Sequence, residues 1–254
     1  MRDRPDLALQ EPLSRLQILA EPGRVALAGQ LSNVGRHRLA APAVVIGVDG
    51  NLRLRSERVH QGRAMLVSPG CWHSFDPTPG RMAVFLLPPS ALRRDQLSWV
   101  QELSSPGRWL EVAQALLDRK LTTWEPIDGC LAREHLAARP IDRRLRAALD
   151  TVEGALDENL AIGELAGIAT LSPSRLMALV REQLGTSLRG YRRWLRTFRV
   201  VRDYAAGRSL TEAAFAAGFA SSPHLSAATR DQFGIRPSDI LRPANRATIR
   251  VLPG

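Results

Sequence analysis

The sequence predicts an α+β protein of two domains, with a β-rich N-terminal part and an all-α C-terminal part. Short apolar runs separated by glycine and proline fill the first 90 residues, whereas helical periodicity dominates from Ile141 onward. The length of 254 residues accommodates one large domain or two modest ones. An apolar fraction of 44% and a charged fraction of 24% are ordinary for a folded protein.

The β-rich part, predicted over residues 12–90, contains at least four short strands. The clearest segment is AVVIGVDGNLRLR at 43–55, in which Asp49-Gly50 favours a two-residue type I′ hairpin turn. Leu52 and Leu54 alternate with arginines, which indicates one buried and one exposed strand face. Strands at this spacing predict a small barrel or sandwich. The other strand candidates are Val25–Leu31, Ala64–Ser68 and Met82–Leu87.

The segment that follows the β-rich part changes character. Apolar residues such as Leu92, Leu97 and Val100 recur at helical spacing over 91–125, which predicts two helices. These helices either pack on the barrel or mediate a homodimer. Residues 126–140 are predicted to be a linker, and the tail at 243–254 has no helical period and is expected to fray.

The charge is strongly basic, at +10, and Lys120 is the one lysine among 35 basic residues. Such a skew reflects either codon bias or the suitability of arginine for phosphates and base edges. A nucleic-acid footprint should therefore cluster on one face. No run of eighteen apolar residues and no signal-like N-terminus occurs, so we expect a cytoplasmic protein without a membrane partner.

An internal repeat carries the strongest functional signal. ELAGIATLSPSRLMALVREQLG at 164–185 is matched by EAAFAAGFASSPHLSAATRDQFG at 212–234, at a spacing of 48 to 49 residues. Each copy predicts a short helix of small residues, a tight turn, a Ser-Pro helix start and a terminal glycine. Helix, turn and helix in this layout place the second helix in a DNA major groove, so we predict a double helix-turn-helix domain.

The segment between the copies, 187–207, predicts one long helix with two different faces. An arginine row beside two groove-binding helices is what phosphate contacts require, although a solvated surface is the simpler alternative. The apolar face comprises Tyr191, Trp194, Leu195, Phe198, Val201 and Ala205. The opposite face comprises Arg189, Arg192, Arg193, Arg196 and Arg199.

These segments resemble the DNA-binding domain of AraC/XylS-type transcription regulators. The matching stretches are LSPSRL at 171–176, LTEAAFAAGFASSPHL at 210–225 and FGIRPSDIL at 233–241, within a resemblance that spans residues 141–242. The resemblance implies two subdomains joined by a long helix that bind successive major-groove segments of double-stranded DNA. It also implies an activator or repressor that is not an enzyme, with RNA polymerase as a further partner.

Both recognition helices depart from the family pattern L-x-R-x-F, because the arginine position is held by Ala178 in one copy and Ala227 in the other. This loss raises an alternative function: an effector-binding or protein-interaction module that has kept the fold but lost tight sequence-specific DNA recognition. The expected DNA contacts of the two copies are Ser172, Ser174, Arg175, Met177, Arg181, Ser222, His224, Ser226 and Arg230. Arg189, Arg192, Arg193 and Arg196 of the connecting helix complete the expected set.

Regulators of this type usually carry a sensing domain, often a cupin-like barrel, which implies a small-molecule effector. The segment SPGCWHSF at 68–75 resembles the P-G-x-x-H-x-F stretch of such barrels. The histidines show no H-x-H pair, so we expect neither a metal nor another cofactor. No nucleophile elbow, P-loop or dinucleotide fingerprint occurs, which disfavours an enzyme. The candidate effector-binding residues are His37, Trp72, His73 and Phe75.

Overall fold

The computed structural model describes residues 16–31, 34–76, 80–92, 99–136, 140–240 and 247–252. Within these ranges the chain is an α+β protein of strands followed by helices, as the sequence predicts. The strands are β1 (Gln17–Glu21), β2 (Arg24–Gly29), β3 (His37–Arg38), β4 (Ala43–Gly47), β5 (Leu52–Arg55), β6 (Val59–Gly62), β7 (Ala64–Val67), β8 (Trp72–Phe75), β9 (Met82–Leu86), β10 (Val100–Glu102) and β11 (Thr248–Val251). The helices are α1 (Pro106–Leu117), α2 (Glu125–Arg133), α3 (Arg143–Gly154), α4 (Ile162–Ile168), α5 (Pro173–Leu184), α6 (Leu188–Ala205), α7 (Leu210–Ala216), α8 (Ser222–Phe233) and α9 (Pro237–Ile240).

The strands form two facing sheets. The larger has the order β10-β7-β4-β9-β2-β1-β11 and the smaller the order β3-β8-β5-β6. Pairing between neighbours is antiparallel throughout, except that β11 runs parallel to β1. Val45 and Met65 from one sheet meet Leu52 and Leu54 from the other, so the space between the sheets is an apolar core. The predicted β-rich domain is confirmed as this two-sheet barrel.

Helices α1 and α2 cover the opposite side of the larger sheet. Trp109 and Leu116 of α1 are fully buried there, and Phe85 of β9 lies against the Trp109 ring at a centroid distance of 5.8 Å. Strand alternation explains this packing, because Val44 and Ile46 point to α1 while Val45 points between the sheets. The apolar faces of both helices are thus used within the chain, which favours barrel packing over the homodimer alternative.

One prediction about the barrel is wrong. Asp49-Gly50 does not form a hairpin, because β4 pairs with β7 and β9 whereas β5 belongs to the other sheet. A type I′ turn needs positive φ at both central residues, and neither has it. Asp49 instead holds the crossing between the sheets by a salt bridge of 2.6 Å to Arg81.

Three further segments differ from expectation. Val100 lies on β10, which pairs with β7, rather than on a helix, and Leu97 falls outside the described residues. Helix α2 occupies residues 125–133 of the predicted linker. Within the predicted tail, Thr248–Val251 form β11 beside β1. All three errors have the same cause. Strand pairing and helix docking here depend on partners about 30 to 230 residues away, and local periodicity contains no information about such partners.

The repeat folds as two helix-turn-helix units, α4–α5 and α7–α8. Ser172 caps α5 by accepting a hydrogen bond from the Arg175 backbone, as predicted. In the second copy the cap is Ser221, one residue earlier than the Ser222 that we predicted, and it accepts from the His224 backbone. Both recognition helices end on left-handed glycines, Gly185 at φ 67° and Gly234 at φ 70°.

Helix α6 lies at the centre of the molecule and contributes to three separate cores. Tyr191 belongs to the core of the first unit, and Val200 belongs to that of the second. Trp194, only 2% exposed, packs with Ile18, Val25 and other barrel residues. The apolar face predicted for α6 therefore meets the barrel rather than the two helix-turn-helix units alone.

The barrel also contacts the C-terminal ends of both recognition helices. The Gly35 N–H donates a 2.9 Å hydrogen bond to the Gly234 carbonyl at the end of α8. A Cβ on Gly70 would lie 3.5 Å from the Gly185 carbonyl at the end of α5. The two ends of the repeat are thus held against one rim of the barrel by backbone contacts between glycines.

Replacing Gly234 by Ala should weaken this contact. A Cβ at Gly234 would lie 2.3 Å from the Gly35 carbonyl oxygen, in addition to the strain of a side chain at φ 70°. The backbone strain alone costs about 1–2 kcal/mol. We expect a clear loss of thermal stability in the full chain, measured by circular dichroism.

Gly207→Ala is the matched control for this substitution. Gly207 has φ 95°, but nothing lies within 4 Å of its Cβ position, so this variant carries strain without a clash. Gly234→Ala should therefore melt below Gly207→Ala. Equal melting temperatures would show that the glycine contact with the barrel contributes nothing to stability.

Candidate nucleic-acid interface

The two recognition helices expose equivalent surfaces. On α5 the side chains of Arg175, Met177 and Arg181 are exposed, and on α8 those of His224 and Arg230 are exposed. Small residues separate them, so no bulky group prevents either helix from approaching a major groove. Ser174 is also exposed, while Ser222 and Ser226 are half-buried.

The predicted contact residues near the helix starts have different roles. Ser172 is occupied as the cap of α5, and its hydroxyl also lies 3.1 Å from that of Ser174. The Ser222 hydroxyl lies 3.1 Å from that of Thr211 on α7. The His224 ring packs edge-on against Phe219 at 5.4 Å, which orients the imidazole at the start of α8.

A groove of about 910 Å³ lies between the two recognition helices, with α6 forming its floor. Five arginines line it and Asp231 is its one acid, so the groove is strongly positive. Both recognition helices contribute to its walls, Met177 and Arg181 from α5 and Ala227 from α8. The arginines that line the groove are Arg181, Arg189, Arg192, Arg193 and Arg196.

Three arginines of α6 also join the helix-turn-helix units together. Arg193 forms an ion pair with Asp231 of α8. Arg196 donates a 2.7 Å hydrogen bond from Nε to the Leu156 carbonyl, and Arg192 approaches the Leu160 carbonyl at 3.4 Å. These side chains are half-buried, whereas Arg189 is exposed. The arginine row is therefore neither a freely solvated surface nor a set of unengaged phosphate ligands.

The pKa of one arginine in the groove is affected by burial and by a neighbouring arginine. Burial, and next the neighbouring charge of Arg192, lowers the pKa of the Arg196 guanidinium below its usual value. The nearby charge of Arg192 thus adds to the effect of burial, and an anion in the groove would favour the charged form of Arg196. DNA phosphates supply such an anion at regular spacing.

Sequence patterning missed one structural acid of α6. Asp203 lies near the end of α6, where it is buried, and its carboxylate lies within 3.3 Å of both Arg202 and Arg208. Its carboxylate joins the end of α6 to the segment that leads into α7. A helical wheel shows on which face of α6 Asp203 lies. It cannot show that Arg208, in the loop after the helix, forms an ion pair with Asp203.

The four candidate effector residues are brought to adjacent strands, but not to one cavity. His37 and His73 are cross-strand partners whose rings lie 4.2 Å apart, and Phe75 packs edge-on against His73 at 5.6 Å. Burial, and next the charge of His73, lowers the pKa of His37 to about 3, so this imidazole is neutral near pH 7. Trp72 lies on the opposite, exposed side of β8.

The His73 Nε2 is buried without a hydrogen-bond partner among the residues that the structure describes. Burial also lowers the pKa of His73. In the same described ranges, no three His, Cys, Asp or Glu side chains are grouped to hold a metal ion. The pair is therefore a neutral, polar spot in the barrel.

A separate cavity of about 110 Å³ lies where α6 and α8 meet the larger sheet. Among the described residues, its lining contains no charged side chain. Thr197 and Thr229 direct their hydroxyls to carbonyls of their own helices, Arg193 and Leu225. The principal apolar lining residues are Ile18, Val25, Leu27, Leu86, Trp194, Phe198, Val201, Phe233, Ile240 and Ile249.

Comparison with known proteins agrees with this architecture. Residues 165–243 match the family model described as a helix-turn-helix domain, which confirms the resemblance seen in the sequence. No curated protein sequence matches the chain. None of the described helices is long and apolar enough to cross a membrane.

The solved structures of ToxT share the two-domain fold over most of the chain, whereas a solved AraC-type regulator matches a smaller part. ToxT from Vibrio cholerae O395 is 11% identical, with a TM-score of 0.59 over 90% of this chain and 97% of its own. ToxT from Vibrio cholerae strain SCE256 with an unsaturated fatty acid bound is 12% identical, with a TM-score of 0.56 over 89% and 92%. An AraC-type regulator from Chromobacterium violaceum is 29% identical, with a TM-score of 0.37 over 42% and 94%.

Restoring arginine at both alanine positions should strengthen DNA binding. Ala178 and Ala227 are exposed, so the larger side chain meets solvent or DNA rather than a neighbouring helix. Arginine forms helix nearly as well as alanine. Each new side chain gains a phosphate contact, or a guanine contact worth about 1–3 kcal/mol.

The double variant Ala178→Arg/Ala227→Arg is measured by DNA titration and by thermal melting. We expect tighter binding with an unchanged melting temperature. A matched control is Gly107→Arg/Gly129→Arg on α1 and α2, which adds the same charge away from the recognition helices at two positions with open space around the Cβ. If the control tightens binding as much, net charge rather than position is responsible.

Proposed function

We propose that this chain, whose C-terminal part carries a helix-turn-helix domain of the AraC type, is a transcription regulator that binds double-stranded DNA in response to a small molecule. The observation that carries the proposal is the arginine-lined groove between two exposed recognition helices. Residues 141–240 serve as the DNA-binding unit, and the barrel with α1 and α2 serves as the sensing unit.

The groove supports DNA as the partner on geometric and electrostatic grounds. Two recognition helices joined through one central helix can enter successive major-groove segments on one face of a duplex. The arginines between them then face the intervening phosphates. The observed protein contacts of Arg192, Arg193 and Arg196 preorganise their guanidinium groups, since the flexible side chains are already ordered before DNA arrives.

The rival function, a module that has lost tight DNA recognition, is favoured only by Ala178 and Ala227. Because both alanines are exposed, they remove contacts without altering the fold. Arg181 and Arg230 remain exposed on the same helices. RNA polymerase and a second copy of the chain are further partners that fit a regulator.

We place the effector in the apolar cavity between the barrel and α6. Its walls come from both proposed units, so a ligand there changes how they fit together. ToxT, which shares this fold, has been solved with an unsaturated fatty acid bound. Here the uncharged lining favours a neutral apolar molecule, and about 110 Å³ approaches the size of an engineered 150 Å³ cavity that binds benzene. The His37–His73 pair is the alternative effector site.

The DNA-binding function is tested by titrating the full chain with duplex DNA at several salt concentrations. Four to six phosphate contacts give a log–log slope on the order of −4 to −5. Arg181→Ala/Arg230→Ala should reduce its magnitude by about 2, since each phosphate contact that forms releases about 0.9 of a counterion and two such contacts are lost. The matched control Arg108→Ala/Arg133→Ala removes the same charge from α1 and α2.

The two functions predict different outcomes for these titrations. A regulator shows a steep slope and prefers one sequence over random DNA, and only the recognition-helix variant flattens the slope. Equal slopes for the two variants would assign the binding to net charge. Absence of any binding at low salt would reject DNA as the partner.

The effector site is tested with toluene and benzoate as paired probes. Toluene should raise the melting temperature and change the fluorescence of Trp194, whereas benzoate should do neither, because the described lining offers no cationic side chain to a buried carboxylate. Val201→Phe fills the cavity and should abolish the toluene effect. The control Val59→Phe changes an exposed barrel residue. A toluene response that survives in Val201→Phe would move the effector site elsewhere.

A further inference from the structure

Strands β3 and β8 carry a basic, aromatic patch on the outside of the barrel. Arg38 and Trp72 are cross-strand partners, next to the buried partners His37 and His73. Strand alternation therefore places Arg38 and Trp72 on the exposed side. The Arg36 and Arg38 guanidinium carbons lie 5.3 and 5.0 Å from the Trp72 ring centroid, and Trp72 itself is 40% exposed.

Several other arginines of the barrel are paired with acids. Arg24 bonds Asp128 at 2.7 Å, Arg55 pairs with Asp76, and Arg81 bonds Asp49 at 2.6 Å. In the part of the chain that the structure describes, no carboxylate forms an ion pair with Arg36 or Arg38. Both side chains are exposed and are held by an indole, which attracts cations without neutralising their charge.

The patch is framed by contacts with the elements that form the groove. Gly35, directly before Arg36, donates its N–H to the C-terminal carbonyl of α8. Ala40, two residues after Arg38, lies 3.7 Å from the Cβ position of Gly190 in the first turn of α6. Gly70, two residues before Trp72, faces the C-terminal carbonyl of α5. The patch thus adjoins both recognition helices and the floor between them.

We infer that Arg36, Trp72 and Arg38 form a phosphate clamp by which the barrel itself contacts the DNA backbone beside the segment bound by α5 and α8. The inference rests on the proposed DNA-binding function and extends it to the sensing unit. The clamp has the same sign of charge as the groove and adjoins the helices that line it. DNA, a polyanion long enough to span both, is therefore the partner that fits.

The chemistry of the clamp follows from its three side chains. Stacking on the indole fixes the plane of each guanidinium, while the N–H groups at its edges stay available to phosphate oxygens. Such contacts carry no sequence information and set the position of the protein on the duplex. The clamp would add affinity and register where Ala178 and Ala227 have removed contacts.

The test compares salt titrations of the full chain and of Arg36→Ala/Arg38→Ala. The variant should reduce the magnitude of the log–log slope by about 2 and weaken binding roughly 10- to 100-fold at 0.1 M salt. Both residues are exposed, so melting temperature should stay unchanged. Arg53→Ala/Arg55→Ala is the matched control, because it removes two exposed barrel arginines that are paired with Asp76.

A second variant tests the role of the indole. Trp72→Ala keeps both charges but releases the guanidinium groups, so it should weaken binding while leaving the slope within about 0.5 of that of the wild type. Trp72→Phe keeps an aromatic face and should restore most of the affinity. Binding by Trp72→Ala equal to that of the wild type would overturn the stacked clamp.

The outcomes separate this inference from the proposed function. A steep wild-type slope that Arg36→Ala/Arg38→Ala leaves unchanged would overturn the clamp and leave the regulator intact. An equal loss in the Arg53→Ala/Arg55→Ala control would also overturn it, because freedom from a carboxylate partner would then not matter. Failure of the wild-type chain to bind DNA at low salt would reject the proposed function, and the clamp with it.

Discussion

The sharing of one helix among three cores is the constraint on which the rest of this structure depends. Helix α6 gives Tyr191 to the first helix-turn-helix unit, Val200 to the second and Trp194 to the interface with the barrel. Its arginines then join the two units across the groove. A change in how any one core packs on α6 is therefore transmitted to the others, since packed cores shift between discrete arrangements rather than deforming gradually.

This arrangement gives a physical basis for coupling a ligand to DNA. The apolar cavity lies on the side of α6 that faces the barrel, and the glycine contacts hold the ends of both recognition helices against the same domain. A ligand can shift the fit between barrel and helices only by as much as it prefers one arrangement over another. A ligand that fills an apolar cavity has such a preference. It makes the most van der Waals contacts in the arrangement whose cavity fits it best, so it stabilises that arrangement.

Local signals in the sequence predicted the helical half well. Ser172 and Gly185 mark the ends of α5 through hydrogen bonds with their own helix, so a short stretch of sequence contains all the information.

The strand pairing of the barrel was harder to predict from the sequence. Asp49-Gly50 has the composition of a hairpin turn, yet β4 and β5 enter different sheets, and β11 pairs with a strand about 230 residues earlier. The contacts that decide those outcomes are long-range. At the site, the wheel found the arginines but not their partners Asp231, Leu156 and Leu160.

Weak base recognition and strong backbone recognition are consistent with each other in this molecule. With alanine at 178 and 227, fewer side chains reach base edges, whereas five arginines line the groove between the recognition helices. Affinity then comes from phosphates, which carry no sequence code, while specificity comes from the spacing between two recognition helices and from the shape of the DNA between them. That spacing is set by α6 and by the barrel rim that touches both helix ends. In a regulator built in this way, the choice of target depends on how rigid the domain interface is. The interface at which we propose that the ligand binds would then also set the spacing of the two recognition helices on the DNA.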